Sequence, residues 1–171
     1  MNQSTSRTTR SLAVTPSTRG FGFAVLEGER LVDWGIKPVT GDKNAASIAK
    51  AKELLTFYRP ARLILEDAES PRRAARIRTL HAGLVSLAKE HQTRVLVLPR
   101  ARVRRRFFAD GAGTKHELAI QLAERYPDEL KPRLPPPRRL WMSEDYRMGI
   151  FDAVALGLAG QQPKRGPIPR G

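Results

Sequence analysis

Apolar and polar positions alternate over residues 12–36 in a way that predicts three short strands joined by tight turns. The first apolar strand runs into Pro16, and glycines mark the turn that follows it. The second strand ends at Gly28, and the third carries Leu31 to Ile36. Three consecutive strands with such short connections predict an antiparallel meander at the start of a sheet.

Beyond residue 40 the pattern changes to helical periodicity interrupted by short apolar runs. The predicted elements are a helix up to about Tyr58, a strand at 61–67, a helix at 70–91, a strand at 94–99, a helix from 114, and a last helix from near Ser143 to Gly160. Both apolar runs are typical of strands buried on two faces. The order predicts an α/β fold, a mixed five-stranded sheet with helices on both faces.

Two segments lack an apolar stripe and are predicted to be irregular. Residues 100–113, "RARVRRRFFADGAG", are interpreted as a glycine-rich basic loop, and the proline-rich residues 127–141 as a flexible connection. Between them, Thr114 and Glu117 fit a capping box at a helix start. Glu144 and Asp145 are interpreted as acids in the first turn of the last helix, where they favour the helix dipole.

The length of 171 residues predicts one domain, at 11–160, between disordered tails at 1–10 and 161–171. The chain has no cysteine, which excludes disulfides and thiolate metal sites and favours a cytoplasmic location. No apolar run is long enough for a membrane span, so we expect no membrane partner.

The net charge is the strongest indication of a binding partner in the composition. Lys and Arg number 31 against 17 acids, giving a net charge of +14. A domain this basic repels itself unless a polyanion neutralises it, which favours nucleic acid as the partner. A merely solubilising or ribosome-like basic surface is the alternative.

Four segments, in this order, resemble one family: "TPSTRGFGFAVLEG", "LILED", "GAGTKHELAIQLA" and "FDAVALGLA". Together with the element order they resemble the ribonuclease-H-like fold, and more narrowly the RuvC-type Holliday-junction resolvases. The resemblance implies a homodimer that acts on branched double-stranded DNA by metal-dependent phosphodiester hydrolysis, with two Mg²⁺ or Mn²⁺ ions held by oxygen ligands. Sugar kinases and Hsp70-type ATPases share the core fold, but that function needs a far longer, duplicated chain.

Carried over residue by residue, the resemblance implies that Glu66 and Asp152 are catalytic metal ligands and that Lys115 is a catalytic lysine. From the residues alone, Glu66 can equally be an exposed acid after a strand, and Asp152 a helix acid paired with an arginine.

Two positions depart from the family pattern. Thr15 stands where the family has its first aspartate, and Gly149 where it often has another acid. A neutral hydroxyl is a weak Mg²⁺ ligand, so we expect impaired cleavage unless another acid, such as Asp33 or Asp67, takes the vacant place. The alternative is a catalytically inactive architectural or accessory protein that binds DNA or RNA.

The basic residues fit either function. The predicted phosphate contacts are Arg72, Arg73, Arg76, Arg100, Arg102, Arg104, Arg105, Arg106 and Lys115. A solvated helix face is the alternative for the first three. Phe107 is predicted to stack on an unpaired base, or else to anchor the loop to the core.

Overall fold

The computed structural model describes residues 9–68 and 75–161. The strands are β1 (Arg10–Ser17), β2 (Gly20–Glu27), β3 (Arg30–Pro38), β4 (Arg62–Glu66) and β5 (Arg94–Leu98). The helices are α1 (Lys43–Tyr58), α2 (Ala75–Glu90), α3 (Arg100–Phe107), α4 (Lys115–Arg125), α5 (Pro127–Leu130) and α6 (Met148–Ala159), with a 3₁₀ turn at Lys131–Arg133. Of the predicted tails at 1–10 and 161–171, residues 1–8 and 162–171 lie outside the described residues, as does the predicted helix start at 70–74.

The strands form one sheet in the order β3-β2-β1-β4-β5. The meander β1-β2-β3 is antiparallel, whereas β4 lies parallel to β1 and β5 parallel to β4. The predicted mixed five-stranded α/β sheet is therefore confirmed. Of the helices in the described residues, none is long and apolar enough to cross a membrane.

Two apolar clusters cover the two faces of the sheet. Leu12 and Val14 of β1 pack with α1 and α2, whereas Ala13 belongs to the opposite cluster with α4 and α6. This alternation follows from the two-residue period of a strand. The central strands are buried on both faces as predicted, but β5 is an edge strand and Val97 is 41% exposed, so the prediction of full burial at 94–99 was wrong.

Both segments predicted to be irregular contain helix. Residues 100–107 form α3 because arginine and alanine are good helix formers, and because Val103 gains a buried position against the core. In the proline-rich segment, Pro127 occupies the first turn of α5, where a missing N–H costs nothing, and Leu130 is fully buried.

The last helix begins five residues later than Ser143, at Met148. Asp145 folds back on Arg147, whose backbone N and Nε both donate to its Oδ1 at 2.9 Å. This local ion pair forms a turn before the helix, so the interpretation of Glu144 and Asp145 as first-turn acids was wrong. The late start places both acids beside the carboxyl end of the sheet instead.

Candidate functional site

A cleft of about 470 Å³ lies at the carboxyl ends of the parallel strands β1 and β4. In open α/β sheets this end of the strands is where ligand-binding crevices form. Thr15 of β1, Glu66 of β4, Lys115 at the start of α4 and Asp152 of α6 all line it. The structure thus brings together the two acids and the lysine that the sequence singled out.

Lys115 is the centre of the charged cluster in this cleft. Its Nζ donates to Glu144 Oε1 at 2.9 Å and lies 3.5 Å from Asp152 Oδ2. The capping box of Thr114 and Glu117, confirmed here, fixes the first turn of α4 and with it the lysine. Sequence reasoning missed Glu144, which is 29 residues from Lys115 along the chain.

The acids in the cleft influence one another. Desolvation raises the pKa of the Asp152 carboxyl; Lys115 opposes this, and the charges of Glu144 and Glu66 raise the pKa further. Desolvation acts to lower the pKa of Lys115, but attraction to Asp152 and Glu144 outweighs it and leaves that pKa above its usual value. The cleft therefore holds a protonated lysine among carboxylates.

We expect Asp152→Asn to raise the thermal unfolding midpoint near neutral pH. The folded-state pKa of Asp152 is raised, so at low pH the carboxyl is neutral in both states and the substitution changes little. As pH rises through the ordinary pKa of aspartate, the unfolded chain releases its proton first and the wild type loses stability relative to the variant. Unfolding midpoints measured from pH 3.5 to 8 check this; a constant difference over that range would contradict it.

Thr15 is held in a helix–strand contact. Its Oγ1 donates to the carbonyl oxygens of Gly149, at 3.2 Å, and Gly22, at 3.4 Å. A Cβ added to Gly22 would lie 2.2 Å from the Gly149 oxygen, so α6 meets β2 backbone against backbone. Both positions at which the resemblance expects acids are therefore used for packing.

The described acids of the cleft do not form an assembled metal site. Within residues 9–68 and 75–161, no group of three or more metal-ligating acids or histidines is arranged to hold a metal ion. The Nζ of Lys115 lies beside Asp152, where it already supplies a positive charge. Asp33 accepts from the Tyr58 hydroxyl at 2.5 Å, and neither it nor Asp67 lines the cleft.

The predicted phosphate-binding arginines fall into different environments. Arg100 and Arg104 line the cleft, together with Arg19, which sequence reasoning missed. Arg104 also holds the following loop, since its Nη1 donates to Gly113 O at 2.6 Å. Arg102 and Arg105 are exposed on α3.

Two further arginines make structural contacts. Arg106 pairs with Glu29 at 3.3 Å. Arg76 donates from Nη2 to Ser17 O at 2.9 Å, which ties α2 to the β1–β2 turn. Arg72 and Arg73 lie outside the described residues.

The phenylalanines at the end of α3 pack inward. Phe107 and Phe108 are partly buried against the core, and a Cβ on Gly113 would lie 2.1 Å from the Phe108 ring. Two exposed aromatic rings lie in the segment that leads into the cleft, Trp141, 77% exposed, and Tyr146, 54% exposed; Phe57 of α1 is also 77% exposed but does not line the cleft. The sequence signal that could have indicated an exposed ring is the position of Trp141 in a polar, proline-rich segment that has no helical apolar stripe.

The sheet order and the position of the cleft define a ribonuclease-H-like α/β fold of the RuvC type. The chain is similar to the Thermus thermophilus RuvC structure, with a TM-score of 0.66 and 16% identity over 88% of this chain and 92% of that one. It is also similar to T. thermophilus RuvC in complex with a Holliday junction substrate, with a TM-score of 0.64 and 17% identity over 88% and 91% of the chains. No family profile matches the chain, and no curated protein matches its sequence.

Proposed function

We propose that this chain is a RuvC-like nucleic-acid-binding protein that acts on branched double-stranded DNA, with phosphodiester cleavage impaired. The observation that carries the proposal is the charged cluster in the cleft: a lysine lies between two carboxylates, while Thr15 and Gly149 are used for packing. A catalytically inactive architectural or accessory binder is the limiting case of the same proposal.

The cleft has the charge for binding a phosphate backbone. The pKa of Lys115 is raised overall, and charge repulsion from Arg100 opposes part of that rise, so two cations share this part of the cleft. Arg19 and Arg104 add positive charge along its walls. Phosphate contacts of this kind position a nucleic acid without reading its sequence, which suits recognition of branched shape.

The fold comparison supports branched DNA as the ligand. One of the two similar structures is a RuvC bound to a Holliday junction substrate. A four-way junction has two-fold symmetry, and a homodimer in the cytoplasm, one protomer on each side, is the assembly we propose for binding it.

Cleavage by two Mg²⁺ or Mn²⁺ ions needs several converging oxygen ligands. Among the described residues, the two predicted metal ligands that line the cleft are Glu66 and Asp152. Lys115 forms an ion pair with Asp152. We therefore propose that the chain binds and orients the DNA backbone and that the hydrolytic step is impaired.

We expect the protein to bind a four-way DNA junction equally well in Mg²⁺, in Mn²⁺ and in EDTA, with little or no cutting. Fluorescence anisotropy measures binding and denaturing gels measure strand cleavage, with light scattering reporting the stoichiometry of the complex. Glu66→Gln is the matched control. Robust metal-dependent cutting that this substitution abolishes would overturn the impaired-cleavage part, and failure to bind any nucleic acid would overturn the proposal as a whole.

A further inference from the structure

The segment that leads into the cleft exposes an unusual amount of apolar surface. Leu140 is fully exposed, Trp141 is 77% exposed and Met142 is 45% exposed. A continuous patch of exposed apolar residues commonly marks a site where another molecule binds. Ser143, the next residue, already lines the cleft, so this surface is continuous with its rim.

The aromatic rings on this rim are paired with arginines. The guanidinium of Arg139 lies 5.5 Å from the centroid of the Trp141 ring, and that of Arg19 lies 5.7 Å from the centroid of the Tyr146 ring. A guanidinium over one face of a ring leaves the ring available to a planar group on its other face. The flanking positive charge favours an anionic ligand over an apolar protein surface.

We infer that Trp141 stacks on an unpaired nucleobase next to the branch point of the bound DNA, with Arg139 beside the adjoining phosphate. Every base has a π face, so such a platform recognises unpaired bases without reading their sequence. The partly buried Phe107 and Phe108 lack the exposure that this role requires. The inference rests on the proposed function, because the basic cleft holds the same DNA molecule.

A direct test uses tryptophan fluorescence, since the chain has two tryptophans. Trp34 is partly buried against the core, and Trp34→Phe leaves Trp141 as the single emitter. We expect strong quenching when a splayed fork with unpaired thymines is added, and weak quenching with a fully paired duplex of the same length. Equal quenching by the two DNAs would overturn the inference.

The affinity test compares Trp141→Ala with Leu140→Ala, a neighbouring change that removes exposed apolar surface but no ring. We expect Trp141→Ala to weaken binding of the fork about tenfold and binding of the duplex less than about twofold. Leu140→Ala, which removes apolar contact but no ring, should weaken binding of the fork and of the duplex to the same extent, by less than about twofold. Equal losses in the two variants would indicate general apolar contact and overturn the stacking inference.

The remaining outcomes separate the inference from the proposed function. If the wild type binds the fork and Trp141→Ala binds it equally well, the inference fails while the proposed function stands. If the wild type binds no nucleic acid, both fail. Light scattering on the free wild type and on free Trp141→Ala detects self-association. A dimer that forms in the wild type but not in the variant would show that a second copy covers Trp141, which also overturns the inference.

Discussion

Replacing Gly22 with alanine is expected to destabilise the protein by about 3 kcal/mol, the upper part of the range for overpacked cores. The added Cβ would lie 2.2 Å from the carbonyl oxygen of Gly149 and 3.0 Å from Thr15 Oγ1. A backbone carbonyl inside a helix cannot rotate away, so α6 must move off the sheet. Ile150 and Phe151 of that helix are almost fully buried and would lose packing with it. Chemical denaturation measures the loss.

Gly35→Ala is the matched control for this experiment. It also adds one methyl group to a strand glycine, but its Cβ would meet the ring of Phe23 at 3.2 Å, and a side chain can shift by a few tenths of an ångström. We expect a change of less than about 1 kcal/mol. Similar losses in both variants would mean that the backbone contact between α6 and β2 is looser than described.

Neutralising the exposed arginines of α3 is expected to give the largest loss of DNA affinity. The triple variant Arg100→Gln, Arg102→Gln, Arg105→Gln removes three positive charges at and beside the cleft, and glutamine preserves helix propensity. If each arginine contacts a phosphate, affinity in about 0.1 M salt falls on the order of a hundredfold or more. The slope of log affinity against log salt becomes shallower by about 2 to 3.

The control for this prediction removes the same charge elsewhere. Lys50, Lys52 and Lys89 belong to α1 and α2, and none of them lines the cleft. Their combined change to glutamine should lower affinity only through net charge and leave most of the salt slope intact. If the two triple variants behave alike in a salt titration of binding, α3 is not part of the DNA interface.

Local signals in the sequence predicted local structure. The alternation before residue 36 predicted the meander, and Thr114 with Glu117 predicted the start of α4. Such features depend on neighbours within a few residues, so a single sequence contains them. The apolar run of β4 was likewise correct, because this strand lies inside the sheet.

Features that depend on distant neighbours were predicted less well. The run at 94–99 resembles that of β4, and its position at the edge of the sheet is set by strand order rather than composition. α3 owes its stability to Val103 packing into a core that its own arginine-rich segment does not reveal. The contact of Lys115 with Glu144 depends on a turn at 143–147 that delays α6, and the sequence alone favoured an earlier helix.

The contact between Gly22 and Gly149 has a consequence for how such a chain can evolve. A side chain at position 149 would meet Ile36, whose Cδ1 lies 3.0 Å from the Cβ site, so an acid gained there requires the end of the Ile36 side chain to shift. An acid at position 15 would exchange a hydroxyl donor for an oxygen facing two carbonyls. An acid at position 15 or 149 therefore requires the contacts around it to adjust, so we expect substitutions at these positions to be coupled energetically to substitutions of their neighbours.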